Sequence, residues 1–555
     1  MALSFPQTLK SHLRDFGICL SLGNLCLIRR WYDLEHLQER SVNYYRTGPA
    51  DPTLLIATII ASFVIALVIW LLWRVAQLTP STRIKTMARG VFLALLILPL
   101  ESIRRYWNQQ AGSVDWGSNL ALVGLELTLV LGMFLAFRGN PRVLRAARQV
   151  AFAMILLLPA LLLDFAGQRA TAESASAFAS KAALPLLVHE NDSPRQTRRV
   201  VWLLFDEFDQ RLAFDARPAG LELPELDRLR DESLVANQTV QTASWTALAV
   251  PSLISGKSFG KAQMMDSSTL LLFTDGSKHG TDWSDQNHIF KKVRARGLNA
   301  AIVGWHHPYC RVLGDTVNRC FDMPSGHPTD ALLRETHAAE EGVWGTVAFL
   351  FRLQMENFRD LFRPDANSMS NLMKQEYVQQ RQQRQYFAIR DRAYRDAVDP
   401  SVEFLYAHFP APHLYAIYDR RKKDFALSLN TDYLDNLALV DRTVGELRLE
   451  LERAGLWEST SILVSSDHGL RPDEWRGKLN WTEEMNRLTS DGASQTVPFI
   501  LKLAGSSVPE AYGDRVSAVV SGDLMLSIAA GEVKTLEDAK AWLSRHADPQ
   551  RLTKR

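Results

Sequence analysis

Ser461–Gly469 reads SILVSSDHG, a strand-forming run of five residues that breaks into Ser466-Asp467-His468-Gly469. A short run of this kind, stopped by Asp, His and Gly, reads as a buried strand entering a polar turn. Asp432–Ala454 stands just before it with helical periodicity, so a helix feeds this strand. The alternation repeats outward. Arg199–Phe205 (RVVWLLF) reads as a buried strand, and Pro224–Leu234 and Thr246–Ser255 read as helices. Asn287–Arg296 reads as a helix leading into strand Asn299–Val303, and Val402–Ala407 and Thr496–Leu503 read as further strands. Strands alternating with helices predict an α/β domain over residues 199–510, a mostly parallel sheet sandwiched by helices. Residues 329–398 read as a helical insertion in it, either an amphipathic surface that meets the bilayer or a lipid substrate, or helix packing on the sheet, and 511–555 as a closing helical segment.

In such sheets ligands bind beyond the carboxyl ends of the strands. The first strand runs into Asp206-Glu207, the strand at 299–303 into His306-His307, and the strand at 402–407 into His408, with His413 just beyond. The strand at 461–465 runs into Asp467-His468. Carboxylates and imidazoles on one rim suit a divalent cation such as Zn or Mn. One Asp-His pair alone is as readily a capping turn; four such strand ends in one sheet favour the ion. Thr246 opens a helix, where backbone N–H groups and the helix dipole attract a phosphate or sulfate group. From the residues alone, Thr246 is either an attacking hydroxyl or, like Ser244, only a helix cap.

Residues before 170 are of another kind. Leu54–Trp73 holds twenty residues without a charge, and a bilayer core about 30 Å thick is crossed by roughly that length of helix. Further runs predict an N-terminal transmembrane helical bundle over 1–166, with spans near 16–30, 54–73, 90–107, 116–137 and 149–166. The first run is short enough to be an interfacial helix instead. The loop after Trp73 carries Arg74, Arg83, Lys85 and Arg89, and the loop after Phe137 carries Arg138, Arg142, Arg145 and Arg148; neither holds an acid. Basic loops stay cytoplasmic, so the last span delivers everything beyond the 167–198 linker to the outside. Glu126 inside a span is either a substrate or proton site or a polar contact between helices. Cys19 and Cys26 stand about 10 Å apart along one helix, too far to bond. Cys310 and Cys320 fall in the outer domain, where an oxidising compartment favours a disulfide between them. The net charge is +2 and there is no basic tail, so nothing points to nucleic acid.

The order of these features resembles the sulfatase-like branch of the alkaline phosphatase superfamily. The family pattern has an acid ending the first strand, a nucleophile ten residues before the Gly of a Ser/Thr-Gly pair, and a late Ser-Asp-His-Gly. Here these are Asp206 or Glu207, Thr246 before Ser255-Gly256, and Asp467-His468-Gly469. Leu405–His413 is similar to the family's His-rich segment, and the likeness covers about residues 197–505. It implies one divalent metal ion (Zn, Mn, Mg or Ca) held by Asp206, Glu207, Asp467 and His468. It also implies Thr246 as nucleophile, with His408 and His413 stabilising the transferred group or protonating the leaving oxygen. His307 is a further pocket candidate. Sulfatases carry a Cys or Ser that is modified to formylglycine; Thr246-Ala-Leu-Ala stands at that place, so that chemistry is absent and a phosphate ester is favoured. The preceding membrane helices resemble those of phosphoethanolamine transferases and lipoteichoic acid synthases.

The resemblance therefore implies a multi-pass protein of the inner or plasma membrane with a periplasmic catalytic domain. Its partners are the lipid bilayer and an envelope lipid or glycan substrate. Phosphate- or sulfate-ester hydrolysis is the alternative chemistry, and an inactive sulfatase-like sensor or scaffold the alternative class. The basic loops give a direct test of orientation: a phosphatase reporter fused after residue 170 is expected to be active and one fused near residue 142 inactive. An inactive reporter at 170 overturns the extracytoplasmic placement.

Overall fold

The computed structural model describes residues 4–27, 52–92, 95, 141–170, 179–187, 199–324, 342–361 and 369–546, apart from 267, 414, 429 and 477–479. The chain forms two compact units. The first comprises Met1–Glu39, Gly48–Ser174 and His327–Ser370, and the second comprises Arg40–Thr47, Ala175–Gly326 and Asn371–Arg555.

Among its described residues the first unit has α1 (Ser4–Cys26), α2 (Pro52–Leu78), α3 (Pro141–Ala153) and α4 (Leu157–Ala170). Among the described residues one helix, Leu55–Leu78, is long and apolar enough to cross a membrane, and Arg148–Leu163 is a shorter apolar stretch. Most of the runs near 90–107 and 116–137, and Glu126 with them, lie outside the described residues. Arg148 pairs with Asp15 between α3 and α1. Cys19 and Cys26 are free thiols on α1.

The second unit is built on an eight-stranded sheet: β1 (Arg199–Asp206), β2 (Leu234–Val235), β3 (Ala300–His306), β4 (Arg319–Pro324), β5 (Phe404–Pro412), β6 (Thr460–Ser466), β7 (Phe499–Lys502) and β8 (Glu510–Ala511). Their spatial order is β8-β2-β7-β6-β1-β5-β3-β4. β1 runs parallel to both β6 and β5, β3 is parallel to β5 and β4, and β7 alone is reversed. β1 is buried along its whole length, as a central strand covered on both faces must be. Its side chains alternate with period two. Val200, Trp202 and Leu204 enter one core layer and Val201, Leu203 and Phe205 the other.

Around the sheet lie α5 (Pro224–Asp231), α6 (Thr246–Ser255), α7 (Ile289–Ala295) and α8 (Tyr309–Leu313). Beyond the insertion come α10 (Met369–Val398), α11 (Tyr433–Arg453), α12 (Ser521–Ala529) and α13 (Leu536–His546). The first core layer contains Val250 of α6, Phe290 of α7, Leu524 of α12 and Trp542 of α13. The expected closing segment thus contributes core to the same sheet. The second layer contains Tyr386 of α10 and Leu434, Leu437 and Val444 of α11. Asp432 caps α11, accepting from Leu434 N–H at 3.0 Å, while Asp435 Oδ2 accepts from Asp432 N–H at 2.8 Å. That reciprocal box satisfies donors a helix start leaves open.

Three details differ from the sequence expectation. β5 runs on to Pro412, so His408 lies inside the strand, because β1 continues to pair with it at Leu204↔His408 and Phe205↔Phe409. β3 likewise continues to His306 through its ladder with β4. Part of the 167–198 linker follows the domain edge: Lys181 N–H donates to Cys310 C=O at 3.0 Å, Leu184 N–H to Val317 C=O at 2.8 Å, and Leu187 N–H to Asn299 Oδ1 at 2.8 Å. The remaining helix, α9 (Gly342–Leu361), leaves this unit and belongs to the first.

Cys310 and Cys320 form a disulfide that ties α8 to β4. Alkylation of non-reduced protein followed by mass spectrometry should find both protected. Replacing both by Ser should lower stability by about 2–3 kcal/mol, the loop-closure worth of a bridge over this separation, read as a fall in Tm.

Candidate active site and metal centre

Because β6, β1, β5 and β3 are neighbours and parallel, their carboxyl ends open onto one rim. Asp467 and His468 follow β6, Asp206 ends β1, His408 lies on β5, and His306-His307 close β3. All but His306 are completely buried, and His306 is partly so. Asp206, Asp467 and His468 offer ligand atoms within 4.8 Å of one another. The His468 ring fixes the character of this cluster. Its Nδ1 lies 2.9 Å from the Gly469 carbonyl oxygen and so carries the hydrogen, which leaves a lone pair on Nε2. Nε2 faces Asp467 Oδ2 at 3.4 Å and Asp206 Oδ1 at 3.6 Å. Both of those oxygens are buried without a hydrogen-bond partner.

Three lone-pair donors therefore converge away from water, an arrangement that costs several kcal/mol per ion unless a cation or proton joins them. Burial, then the charges of Asp467 and Glu207, push the Asp206 carboxyl well above the usual carboxylate range. Burial works the same way on Asp467, but His468 and His408 outweigh it and hold that carboxyl low. Two carboxylates and an imidazole backed by a carbonyl are a donor set suited to Zn or Mn, so these residues fit a divalent ion.

Thr246 meets the same cluster. It is the first residue of α6, after Trp245 in the cap position. Its hydroxyl does not cap the helix. Oγ1 donates to Asp206 Oδ2 at 3.3 Å and lies 3.1 Å from His468 Nε2. Ser244 is exposed and accepts from Gln241 Nε2 at 3.2 Å. The geometry thus puts Thr246, and not Ser244, at the cluster. Gly256 ends α6 in the left-handed conformation (φ 65°), which a side chain rarely adopts; a Cβ there would meet Asp523 Oδ2 at 2.8 Å.

Glu207 is not brought into the ligand set. Its φ of 66°, uncommon for a residue with a side chain, turns the carboxylate aside. Oε1 accepts from Arg471 Nε at 2.7 Å and Oε2 from Trp475 Nε1 at 3.0 Å. Only its N–H reaches the cluster, donating to Asp467 Oδ1 at 3.2 Å. Burial raises the Glu207 carboxyl, but Arg471, His413 and His468 outweigh this and keep it below the usual range.

The histidines around the cluster are neutral. Burial pulls His408 and His413 down to about 4, and His307 to about 3. His408 Nδ1 lies 2.9 Å from Tyr309 Oη. His307 Nε2 lies 3.2 Å from the Thr246 carbonyl oxygen and so steadies the start of α6. His413 Nε2 stands 3.5 Å from Arg471 Nη2.

Sequence reasoning misses Arg471, Trp475, Tyr309 and Trp245. Arg471 brings a fixed positive charge beside the acids and lies 5.0 Å from the centre of the Trp245 ring. Its place three residues after His468 was the available signal. Trp245 precedes Thr246 and is 48% exposed.

The sulfatase family model matches residues 198–529, more than half of the chain. No curated protein matches the sequence. Among solved structures, the chain is similar to the PsFucS1 sulfatase from Pseudoalteromonas sp. at 17% identity and a TM-score of 0.38, covering 60% of this chain and 68% of that one. It is similar to the phosphonate monoester hydrolase SpPMH from Silicibacter pomeroyi at 13% identity and a TM-score of 0.35, covering 60% and 73%. It is also similar to the lipoteichoic acid synthase LtaP from Listeria monocytogenes at 14% identity and a TM-score of 0.34, covering 60% and 72%. Sulfatase-family proteins use a metal ion.

Asp467 and Glu207 predict different variants. Asp467→Asn should lose bound metal, measured by elemental analysis of purified protein. Glu207→Gln should keep it and instead unfold more easily, because breaking a buried ion pair costs about 3–5 kcal/mol. Equal metal loss in both would return Glu207 to the ligand set.

Proposed function

The chain belongs to the sulfatase family, and on that premise we propose that it is a membrane-bound, metal-dependent enzyme acting on a phosphate ester of an envelope lipid or glycan. Thr246 is the nucleophile, and the group it receives passes to an envelope acceptor or to water. The observation that carries this reading is the placement of the Thr246 hydroxyl between Asp206 Oδ2 and His468 Nε2.

Asp206, Asp467 and His468 would hold one divalent ion, which would supply Lewis acidity and favour loss of a proton from a hydroxyl beside it. Thr246 loses its hydrogen along its bond to Asp206, and Oγ attacks phosphorus. The bond from phosphorus to the leaving oxygen breaks as the Thr246 ester forms. His408 and His413, both uncharged, stabilise the transferred group or hydrogen-bond the leaving oxygen. Arg471, fixed by Glu207, adds a positive charge for the transferred group. An acceptor hydroxyl or water then displaces Thr246 and restores its hydroxyl.

A Thr nucleophile favours phosphate over sulfate, since no residue for formylglycine stands at position 246. The apolar helix Leu55–Leu78 supports membrane attachment. The charge of the loops supports several spans and a periplasmic catalytic domain.

Thr246→Ala should fold, bind metal and lose turnover of a nitrophenyl phosphodiester by on the order of 10⁴-fold or more, as when a covalent nucleophile is removed. Ser244→Ala should keep most of its activity. Wild-type protein quenched during turnover should carry phosphate on the peptide containing Thr246. Wild-type turnover in Thr246→Ala would overturn the assignment.

A further inference from the structure

The helix that leaves the α/β unit raises a question the chemistry does not answer. α9 (Gly342–Leu361) stands in sequence between β4 and α10, both elements of the second unit, yet it packs within the first. Its Val347 and Leu350 are buried in one apolar cluster with Ala57 and Ala61 of α2 and Leu158 and Leu161 of α4. Ala57 and Ala61 are four apart and fully buried, the small-residue spacing that lets two helices approach closely in a membrane.

The place of contact on α2 is informative. The α2 residues in this cluster, Leu55 to Ile65, lie in its first half. The charge of the loops puts that half on the outer side, since the basic residues 74–89 follow the other end. A segment inserted into an extracytoplasmic domain reaches the outer half of a span without crossing the bilayer. The packing and the loop charges, two independent observations, agree.

α9 also has an outward stripe. Trp344, Ala348, Arg352 and Met355 are exposed at helical spacing, with Trp344 70% and Met355 66% exposed. Gly342–Phe351 contains no charge. Ten helical residues rise about 15 Å, the depth of one leaflet's hydrocarbon. The stripe adjoins a helix whose own apolar residues are outward, among them Phe63 at 44% and Leu67 at 46% exposed. Water is a poor solvent for such a continuous apolar face. Arg352 stands at the end of the charge-free stretch, and its long apolar stem lets the charge reach the headgroup level.

We propose that α9 is a second membrane attachment of the catalytic half of the chain, lying in the outer leaflet beside α2 with Trp344, Ala348 and Met355 in contact with lipid. This rests on the reading that α2 spans the membrane, and the test separates the two.

Full-length protein in liposomes is labelled with an environment-sensitive fluorophore at one introduced cysteine, in a Cys19→Ala, Cys26→Ala background. The labelled variants are Trp344→Cys, Ala348→Cys (which keeps Trp344), Leu67→Cys on α2, and Lys278→Cys on an exposed loop of the α/β unit. Each is challenged with lipid carrying a nitroxide on its acyl chain and, separately, with aqueous iodide. Labels at 344, 348 and 67 should lose most of their emission to the lipid quencher and little to iodide, and the label at 278 the reverse. If 67 responds to lipid while 344 and 348 respond to iodide, the span stands and the proposal for α9 is overturned. If 344 and 348 respond to neither, protein covers α9, and the proposal is again overturned. If 67 fails to respond to lipid, the spanning role of α2 falls, and the proposal falls with it.

Discussion

Two carboxylates and an imidazole lone pair, buried together at the ends of neighbouring strands, set the terms for the second unit. Asp206 and Asp467 repel one another in a medium that screens poorly. They stay together because the sheet gives them no alternative. β1 and β6 pair in parallel register from Arg199↔Thr460 to Phe205↔Ser466, so the next residue of each strand must emerge beside the other. The register rests in turn on the apolar alternation of β1 between two core layers. A slip of one residue would reverse every side chain of the strand, moving the acids away from each other and Trp202 out of its layer. The geometry of the candidate site and the hydrophobic core are thus one constraint read at two places along a strand.

Around that constraint the polar contacts are stitched rather than scattered. Ser466 Oγ accepts from Phe208 N–H at 2.9 Å and lies within hydrogen-bond distance of the carbonyls of Phe205 and His468. Tyr433, the first residue of α11, donates its hydroxyl to the Glu207 carbonyl at 2.6 Å and accepts from Asp209 N–H at 3.0 Å. Asp209 Oδ2 accepts from Leu470 N–H at 3.3 Å, and Gln241 Oε1 accepts from Gly469 N–H at 2.8 Å. Each bond fixes a turn that carries a site residue. The left-handed backbone of Glu207 is held at both ends by such bonds, which is how a sparsely populated conformation persists.

The sheet, and the acids and imidazoles at its rim, are legible in the sequence for a simple reason. Parallel strands are apolar runs, and their chemistry sits where the run stops, so position along the chain reports position in space. Asp206, Asp467 and His468 follow this rule. His408 follows it only roughly, because β5 outlasts its apolar run while β1 still pairs with it. Residues whose place depends on a contact across the fold are not legible in this way. Whether Glu207 faces the cluster depends on Arg471 and Trp475, which lie more than 260 residues away in the chain. Ser244 and Thr246 both suit a helix start; the spacing to Gly256 favours Thr246, and the contacts of its hydroxyl with Asp206 and His468 separate it from Ser244, which meets Gln241. The boundary at 510 is invisible for a related reason: α12 and α13 carry ordinary amphipathic patterns, and nothing local says that their apolar faces complete the layer over Trp202.

The insertion at 329–398 shows what a pattern alone can and cannot decide. Its two helices are both amphipathic, yet they go to different places. α10 puts Tyr386, Ile389 and Ala393 into the core over the sheet, while α9 puts Val347 and Leu350 against the small residues of α2. The difference lies in the character of the remaining surface. The exposed residues described on α10 are charged, Arg384, Asp391 and Arg395, which water solvates well. The outward face of α9 is Trp344, Ala348 and Met355 with a single Arg352, which water solvates poorly. A helix that is apolar on one side needs one partner. A helix with apolar residues on two sides needs a second, and beside a helix of the length and composition of Leu55–Leu78 the second partner we propose is hydrocarbon.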